Sequence, residues 1–230
     1  MMNAEVFIEE AKKRIERLNH QALLANEHFR AIYEVRKLYP DHKEVLNMAS
    51  FFFQLSIYAH QTHVYLSITK AFCTNEKTDE SSLILLSDML KHGNDQFCNP
   101  FEVTEYKSTL SEETNVLHFN SLKEAYDIIN AGINEKADTI EKIKKQRNKY
   151  YAHMDRSSSK DYTAFFEENE VTMDEIDELL NLNFTICNCV NMLLDGSTLF
   201  HNVIHPGSLE VLARYAEKGR QTEVTPHDQL

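Results

Sequence analysis

Five glycines and four prolines are all that interrupt a chain of 230 residues, and that scarcity constrains the fold more than any other feature. A sheet needs reversals, and reversals draw on glycine and proline every 8–12 residues or so. A chain with so few must run in long segments. Its apolar residues recur at helical spacing with charges between them, so the expected class is all-α. An apolar content of 42% is enough for a substantial core.

Residues 4–38 read as one helix, with Val6, Ile8, Ala11, Ile15, Leu18, Leu23, Phe29, Ile32 and Val35 along its apolar stripe. Pro40 ends it, because proline has no N–H and its ring clashes with the preceding turn. Asp41 and Glu44 then have the form of a capping box. The second helix runs to about Cys73 through Phe51, Phe52, Phe53, Ile57, Val64, Leu66 and Ile68. It is apolar around much of its circumference, which marks it as the most buried element.

A shorter helix spans about 81–92, stopped by Gly93. Residues 94–120, with Asn99-Pro100, read as a loop carrying one short helix. Ser121 and Glu124 form another capping box and open a helix that bends near Gly132 and reaches about Met154. Residues 155–170, with Ser157-Ser158-Ser159, form a loop; Thr172 and Glu175 cap a helix over 173–194, closed by Gly196. A last helix covers about 208–217, and the polar tail 221–230 frays. No repeat and no linker separates two cores, so one domain over 1–230 is expected.

The net charge of −12 and pI of about 5.4 exclude a generally basic surface. Cys73, Cys98, Cys187 and Cys189 include no CxxC pair, and they read as buried thiols in a reducing compartment. The first ten residues carry acids and no basic stretch before an apolar run, so no signal peptide is expected. Apolar runs such as 83–86 or 190–194 fall far short of the roughly 20 residues a membrane span needs. The expectation is a cytoplasmic protein with no membrane partner.

Against this acidic background one segment is basic. Between Glu141 and Arg156 stand Lys142, Lys144, Lys145, Arg147, Lys149 and Arg156 against Glu141 and Asp155. A short basic focus on an acidic body suits a polyanion handled at one place. A solvated helix face with lysines for solubility is the plainer alternative. Ile140, Ile143, Arg147, Tyr150 and Met154 are spaced 3, 4, 3 and 4 apart, which sets Arg147 within an apolar stripe. A guanidinium there needs a carboxylate, backbone carbonyls or a bound anion to offset its desolvation. A structural ion pair with a buried acid satisfies that requirement as well as an anion does. His153, six residues on, lies ~120° around and ~9 Å along a regular α-helix. Two copies of the helix across a two-fold axis bring the two groups to one phosphate; alone, a histidine at a helix end is a capping residue.

The run Arg147, Asn148, Lys149, Ala152, His153, Asp155 resembles the Arg-polar-x(4–6)-His signature of the HEPN superfamily, and most closely its abortive-infection, AbiU-type branch. The resemblance implies an up-down helical bundle with additional helices, forming a homodimer whose cleft combines both protomers' motifs. It implies a metal-independent endoribonuclease without cofactors, a toxin or effector of a toxin–antitoxin or phage-defence module. By position, His153 acts as base or acid on the ribose 2′-hydroxyl or leaving oxygen. Arg147 stabilises charge on the phosphate, and Asn148 orients the phosphate or His153. Lys144, Lys145, Lys149, Tyr151 and Asp155 support RNA binding, with Tyr151 able to stack on a base. The nucleophile makes the substrate RNA and not DNA. Partners are then RNA, a second copy and possible antitoxin protein. Some toxins of the superfamily carry His-x-Tyr for nucleotidylation by an antitoxin, and this chain departs from them with Asp155. The other reading is a non-catalytic HEPN module that binds RNA, a nucleotide or a protein partner.

Elsewhere the signals are weak. His60 with His63 and His201 with His205 have helical spacing but no Cys or carboxylate in ligand register, so no metal site is expected. Asp174, Glu175, Asp177 and Glu178 are first-turn acids favoured by the helix dipole. No Gly-rich phosphate loop, serine nucleophile elbow or dinucleotide fingerprint occurs.

Overall fold

The computed structural model describes residues 4–73, 82–93, 106–107, 114–115, 121–151, 162–195, and positions 214 and 217. Helices α1 (Ala4–Met48), α2 (Ser50–Phe72) and α3 (Leu83–Lys91) come first. Two short strands, β1 (Tyr106–Lys107) and β2 (Thr114–Asn115), pair antiparallel with Tyr106 opposite Asn115. Then follow α4 (Leu122–Glu135), α5 (Ala137–Gln146), a π-helical turn (Arg147–Tyr151), α6 (Tyr162–Glu168) and α7 (Met173–Asp195). The fold is all-α. Of residues 94–120 only the four of β1 and β2 are described, and the short helix expected in that stretch lies outside the described residues.

The chain divides into two compact units, Met1–Ala25 with Tyr65–His201, and Asn26–Val64 with Asn202–Leu230. In the first unit α1 buries Phe7, Ala11, Ile15, Leu18, Ala22 and Ala25. The stripe is rotated slightly from the expected one, since Val6 is exposed and Phe7 takes the inner position. Ser82 caps α3 by accepting from Leu85 N–H at 3.2 Å, and Leu83, Leu86 and Leu90 face inward. Against α3 lies α4, which buries Leu122, Ala125 and Ile129. Asn130 Nδ2 donates to Ser87 Oγ at 2.7 Å between the two.

Two glycines mark close approaches. A Cβ on Gly93 would lie 2.6 Å from Phe7 Cζ and collide with Leu122, so absence of a side chain there lets α1 and α4 close over the end of α3. At Gly132 a Cβ would sit 3.0 Å from Leu182 Cδ1, where α4 meets α7. The bend expected at Gly132 instead falls at Lys136, whose φ of −95° and ψ of 12° separate α4 from α5.

Within α1 two helices meet at a kink at His42 (φ −122°, ψ 25°), two residues after Pro40, so the break falls close to where the proline placed it. One further expectation is corrected. The most buried helix is not α2. Phe51 and Phe52 are 74% and 66% exposed, and inward packing starts only at Val64. An apolar circumference cannot by itself say which half of a helix meets a core. The helix buried nearly all round is α7, with Ile176, Leu179, Leu180, Phe184, Ile186, Val190 and Leu193 inward. Cys187 and Cys189 are buried thiols in the same helix; burial drives the Cys187 thiol far above its ordinary range and pushes Cys189 up to about 12. Of the last expected helix only Arg214 and Glu217 are described, both helical; the 221–230 tail, Cys98 and Gly196 lie outside the described residues. No helix among the described residues is long and apolar enough to cross a membrane.

In the second unit α1 buries Phe29 and Ile32 and brings His28 onto α2. Its Nδ1 lies 2.6 Å from Nδ1 of His60, and its ring centroid lies 4.1 Å from that of His63. Two facing ring nitrogens at that distance share one proton, so only one of the pair can donate. From Ser50 to Thr69, α2 carries no Asp, Glu, Lys or Arg, so the helix offers no carboxylate to a charged imidazole. Burial, with His63 and His60 nearby, lowers the His28 pKa from 6.5 to about 4. Burial and His63 lower His60 as well. No group of three His, Cys, Asp or Glu among the described residues is placed to hold a metal ion.

The sign of the pH dependence follows from the depressed values. The unfolded chain binds protons from pH 6.5 downward while the folded histidines stay neutral, so stability is full above that pH and declines towards about 4. We expect the melting temperature to fall over this window, and His28→Leu to flatten the fall; equal slopes would contradict the shared-proton arrangement. In the first unit Ile129→Ala should cost about 2–5 kcal/mol, measured by denaturant unfolding. Phe52→Ser, on the exposed part of α2, should change stability by no more than ~0.5 kcal/mol.

Candidate functional site

The basic segment sits at the end of α5, and the placement of α5 depends on α7. Thr172 and Glu175 cap α7 reciprocally. Glu175 N–H donates to Thr172 Oγ1 at 3.1 Å, and Glu175 Oε2 accepts from Thr172 N–H at 2.7 Å. The other oxygen of Glu175 accepts from Thr139 Oγ1 of α5 at 3.2 Å. Burial raises the Glu175 carboxyl, but the Thr172 and Thr139 hydrogen bonds and Lys142 outweigh it and hold the pKa below its usual value. Lys136, at the α4–α5 corner, pairs with Glu178 at 2.8 Å. Three of the expected first-turn acids, Glu175, Asp177 and Glu178, therefore have specific partners; Asp177 is buried and accepts from Asn181 at 2.9 Å. The corner and first turn of α5 are thus tied to the first turns of α7, and Thr139, Ile140, Ile143 and Gln146 are buried.

At Arg147 the helix changes type. Residues Arg147–Tyr151 form a π-helical turn, in which hydrogen bonds run from i to i+5 and each turn holds about one more residue. The expected α-helix to Met154 is interrupted here, and the 120° displacement assumed a regular α-helix through these residues. Ile140 and Ile143 of the predicted stripe are buried, and Arg147 is half-buried. Its Nη1 donates to Asn148 Oδ1 at 2.8 Å, while its Nε is buried with no acceptor among the described residues. No carboxylate pairs with it among those residues.

The lysines divide. Lys142 pairs with Asp138 at 2.9 Å and Lys144 with Glu141 at 3.3 Å, both at the surface. Lys149 places its Nζ 4.1 Å from the Phe165 ring centroid, a cation–π contact with α6. Lys145 is exposed and makes no ion pair among the described residues. The structure therefore brings Arg147 and Asn148 together and turns Lys149 towards α6. His153, Met154, Asp155 and the 157–159 serines lie outside the described residues, as do the side chains of Tyr150 and Tyr151.

A motif of this composition, at the end of a helix in an all-α chain, has a family counterpart. The family model HEPN_AbiU2, described as AbiU2, matches residues 8–214. The chain belongs to the AbiU2 family of HEPN proteins. Comparison with curated proteins and with solved structures gives no match.

In this AbiU2-family chain the sequence left three neighbours of the motif unmarked. Gln146, only 2% exposed, donates from Nε2 to the backbone carbonyl of Asn169, and its Oε1 has no partner among the described residues. Asn169 is buried, and its Nδ2 donates to Phe165 O at 2.9 Å. Phe165 receives Lys149 and meets Phe166 edge-on. An amide three residues after Ile143, on the stripe of Ile140 and Ile143, was the available signal for Gln146. Nothing in residues 155–170 signalled that α6 would return to the motif.

Proposed function

We propose that the protein is a metal-independent endoribonuclease of HEPN type. Its site is built across a homodimer, and its setting is a toxin–antitoxin or phage-defence module. Family membership supports an abortive-infection-related HEPN protein. The observation that carries the finer reading is the state of Arg147. It stands at the first position of RNKYYAHMD with one guanidinium nitrogen lacking an acceptor and no carboxylate neutralising it among the described residues. That supports an anion as the partner of Arg147.

The chemistry needs no metal because the substrate supplies its own nucleophile. His153 of one protomer takes the proton of the ribose 2′-hydroxyl, which attacks the adjacent phosphorus. Arg147 of the other stabilises the charge gathering on the phosphate oxygens. Asn148, already bonded to Arg147, keeps the guanidinium turned to the phosphate. The bond from phosphorus to the 5′-oxygen breaks as the proton taken up by His153 passes to that oxygen, giving a 2′,3′-cyclic phosphate and a 5′-hydroxyl and restoring the neutral imidazole. Lys145 is the one predicted supporting lysine that is exposed and makes no described ion pair or ring contact, and it steers the backbone. Asp155 and Tyr151 complete the RNA-facing set.

The intramolecular engagement of Lys142, Lys144 and Lys149 supports a second reading, a HEPN module that binds RNA or a partner without cleaving. End-group analysis separates the two. Purified protein should cleave RNA in EDTA to leave cyclic-phosphate and 5′-hydroxyl ends. Arg147→Ala and His153→Ala should each lower the rate by on the order of 10²–10⁴-fold with the dimer intact in sedimentation. RNA bound without product would select the module, and cleavage indifferent to both substitutions would sink the nuclease.

A further inference from the structure

We infer that Gln146, Asn169 and Phe165 are positioning residues of the site, forming a two-point clamp that holds α6 over the π-helical turn and fixes the direction of Arg147 and Asn148. The inference rests on the nuclease reading for its consequence, but on geometry alone for its existence.

The two anchors bracket the Arg-Asn pair. Gln146 precedes it and Lys149 follows it, three residues apart. Their partners Asn169 and Phe165 are four residues apart, at the end of α6 and within it. Phe165 and Asn169, four apart, share a face of α6, and Gln146 and Lys149 reach that face from either side of the Arg–Asn pair. The pairing order reverses, 146 with 169 and 149 with 165, so the chain doubles back on itself at the motif. Asn169 ties the arrangement together. Its Nδ2 and its backbone N–H both reach Phe165 O, at 2.9 and 3.1 Å, closing the last turn of α6. Its own carbonyl is then left for Gln146.

The chemistry at position 146 is specific. The site is buried and the partner is a carbonyl oxygen, so the residue must donate. A carboxylate of the same shape would set negative charge against the carbonyl dipole, and an aliphatic side chain would leave the carbonyl without a donor. The clamp also gives a reason for a π-helical turn at this place. A widened turn has weaker internal restraint than an α-turn, and external contacts on both sides of Arg147–Asn148 supply what it lacks. An arginine that must meet a phosphate in one orientation gains from such support, since a displacement of about 1 Å at a reacting group costs on the order of 10²-fold in rate.

The test uses the full chain with Gln146→Leu, Gln146→Glu and Phe165→Leu. Amide hydrogen exchange across 147–151 and 162–169, read by mass spectrometry, should accelerate in all three while α3 and α4 keep wild-type protection. Single-turnover RNA cleavage should slow by on the order of 10–100-fold, with RNA affinity changed little. The glutamate variant should regain activity as pH falls, because a protonated carboxyl donates to the Asn169 carbonyl as the amide does. Wild-type exchange at 147–151 in the Gln146 variants would overturn the clamp, and so would a wild-type cleavage rate. Should Gln146→Leu fail to fold, Phe165→Leu decides by the same two readouts, since it keeps apolar volume and removes the ring under Lys149. A wild-type chain that cleaves nothing removes the nuclease reading, and the clamp is then judged on exchange.

Discussion

The motif's position depends on one junction, the capped start of α7 against α5. Glu175 closes its own helix through Thr172 and uses its second oxygen to accept from Thr139. Ile140, Ile143 and Gln146 are buried along the remainder of α5. A carboxylate committed to both tasks couples the N-terminus of one helix to the phase of another. Arg147 inherits its direction from that phase. Without the junction α5 would be a ten-residue helix, too short to be stable alone, and the basic segment would have no defined orientation.

From this junction the electrostatics of the segment can be sorted. Six cations in sixteen residues suggest a broad basic patch, yet the surface pairs Lys142–Asp138 and Lys144–Glu141 are local and Lys149 is drawn to an aromatic ring. Exposed pairs of this kind contribute little to stability, but they do lower the local field. Among the described cations of the segment, that leaves Lys145 and Arg147 without a carboxylate or ring partner. The site among the described residues is then an arginine whose buried Nε has no acceptor, an asparagine bonded to it and one exposed lysine.

Much of this was legible in the residues. The scarcity of glycine and proline announced helices, and the Ser121 and Thr172 caps fall where spacing placed them. The nine-residue run pointed to the family that the chain belongs to. What stayed hidden depends on partners distant in sequence. The exposure of Phe51 and Phe52 depends on where the core ends. His28 meets His60 and His63 across 32 and 35 residues, an encounter that spacing within one helix cannot reveal. The π-helical turn escaped because periodicity arguments assume a constant pitch, and the Gln146–Asn169 bond escaped because its acceptor is a main-chain carbonyl.

The central claim is that Arg147 of one protomer and His153 of the other act on one phosphate. It is tested most directly with a mixed dimer, one subunit carrying Arg147→Ala and the other His153→Ala, purified through two different tags. Each homodimer should be inactive. The mixed dimer should cleave RNA in EDTA, because it rebuilds one site from the intact arginine of one chain and the intact histidine of the other. A mixed dimer as inactive as its parents, beside an active wild type, would contradict the composite site.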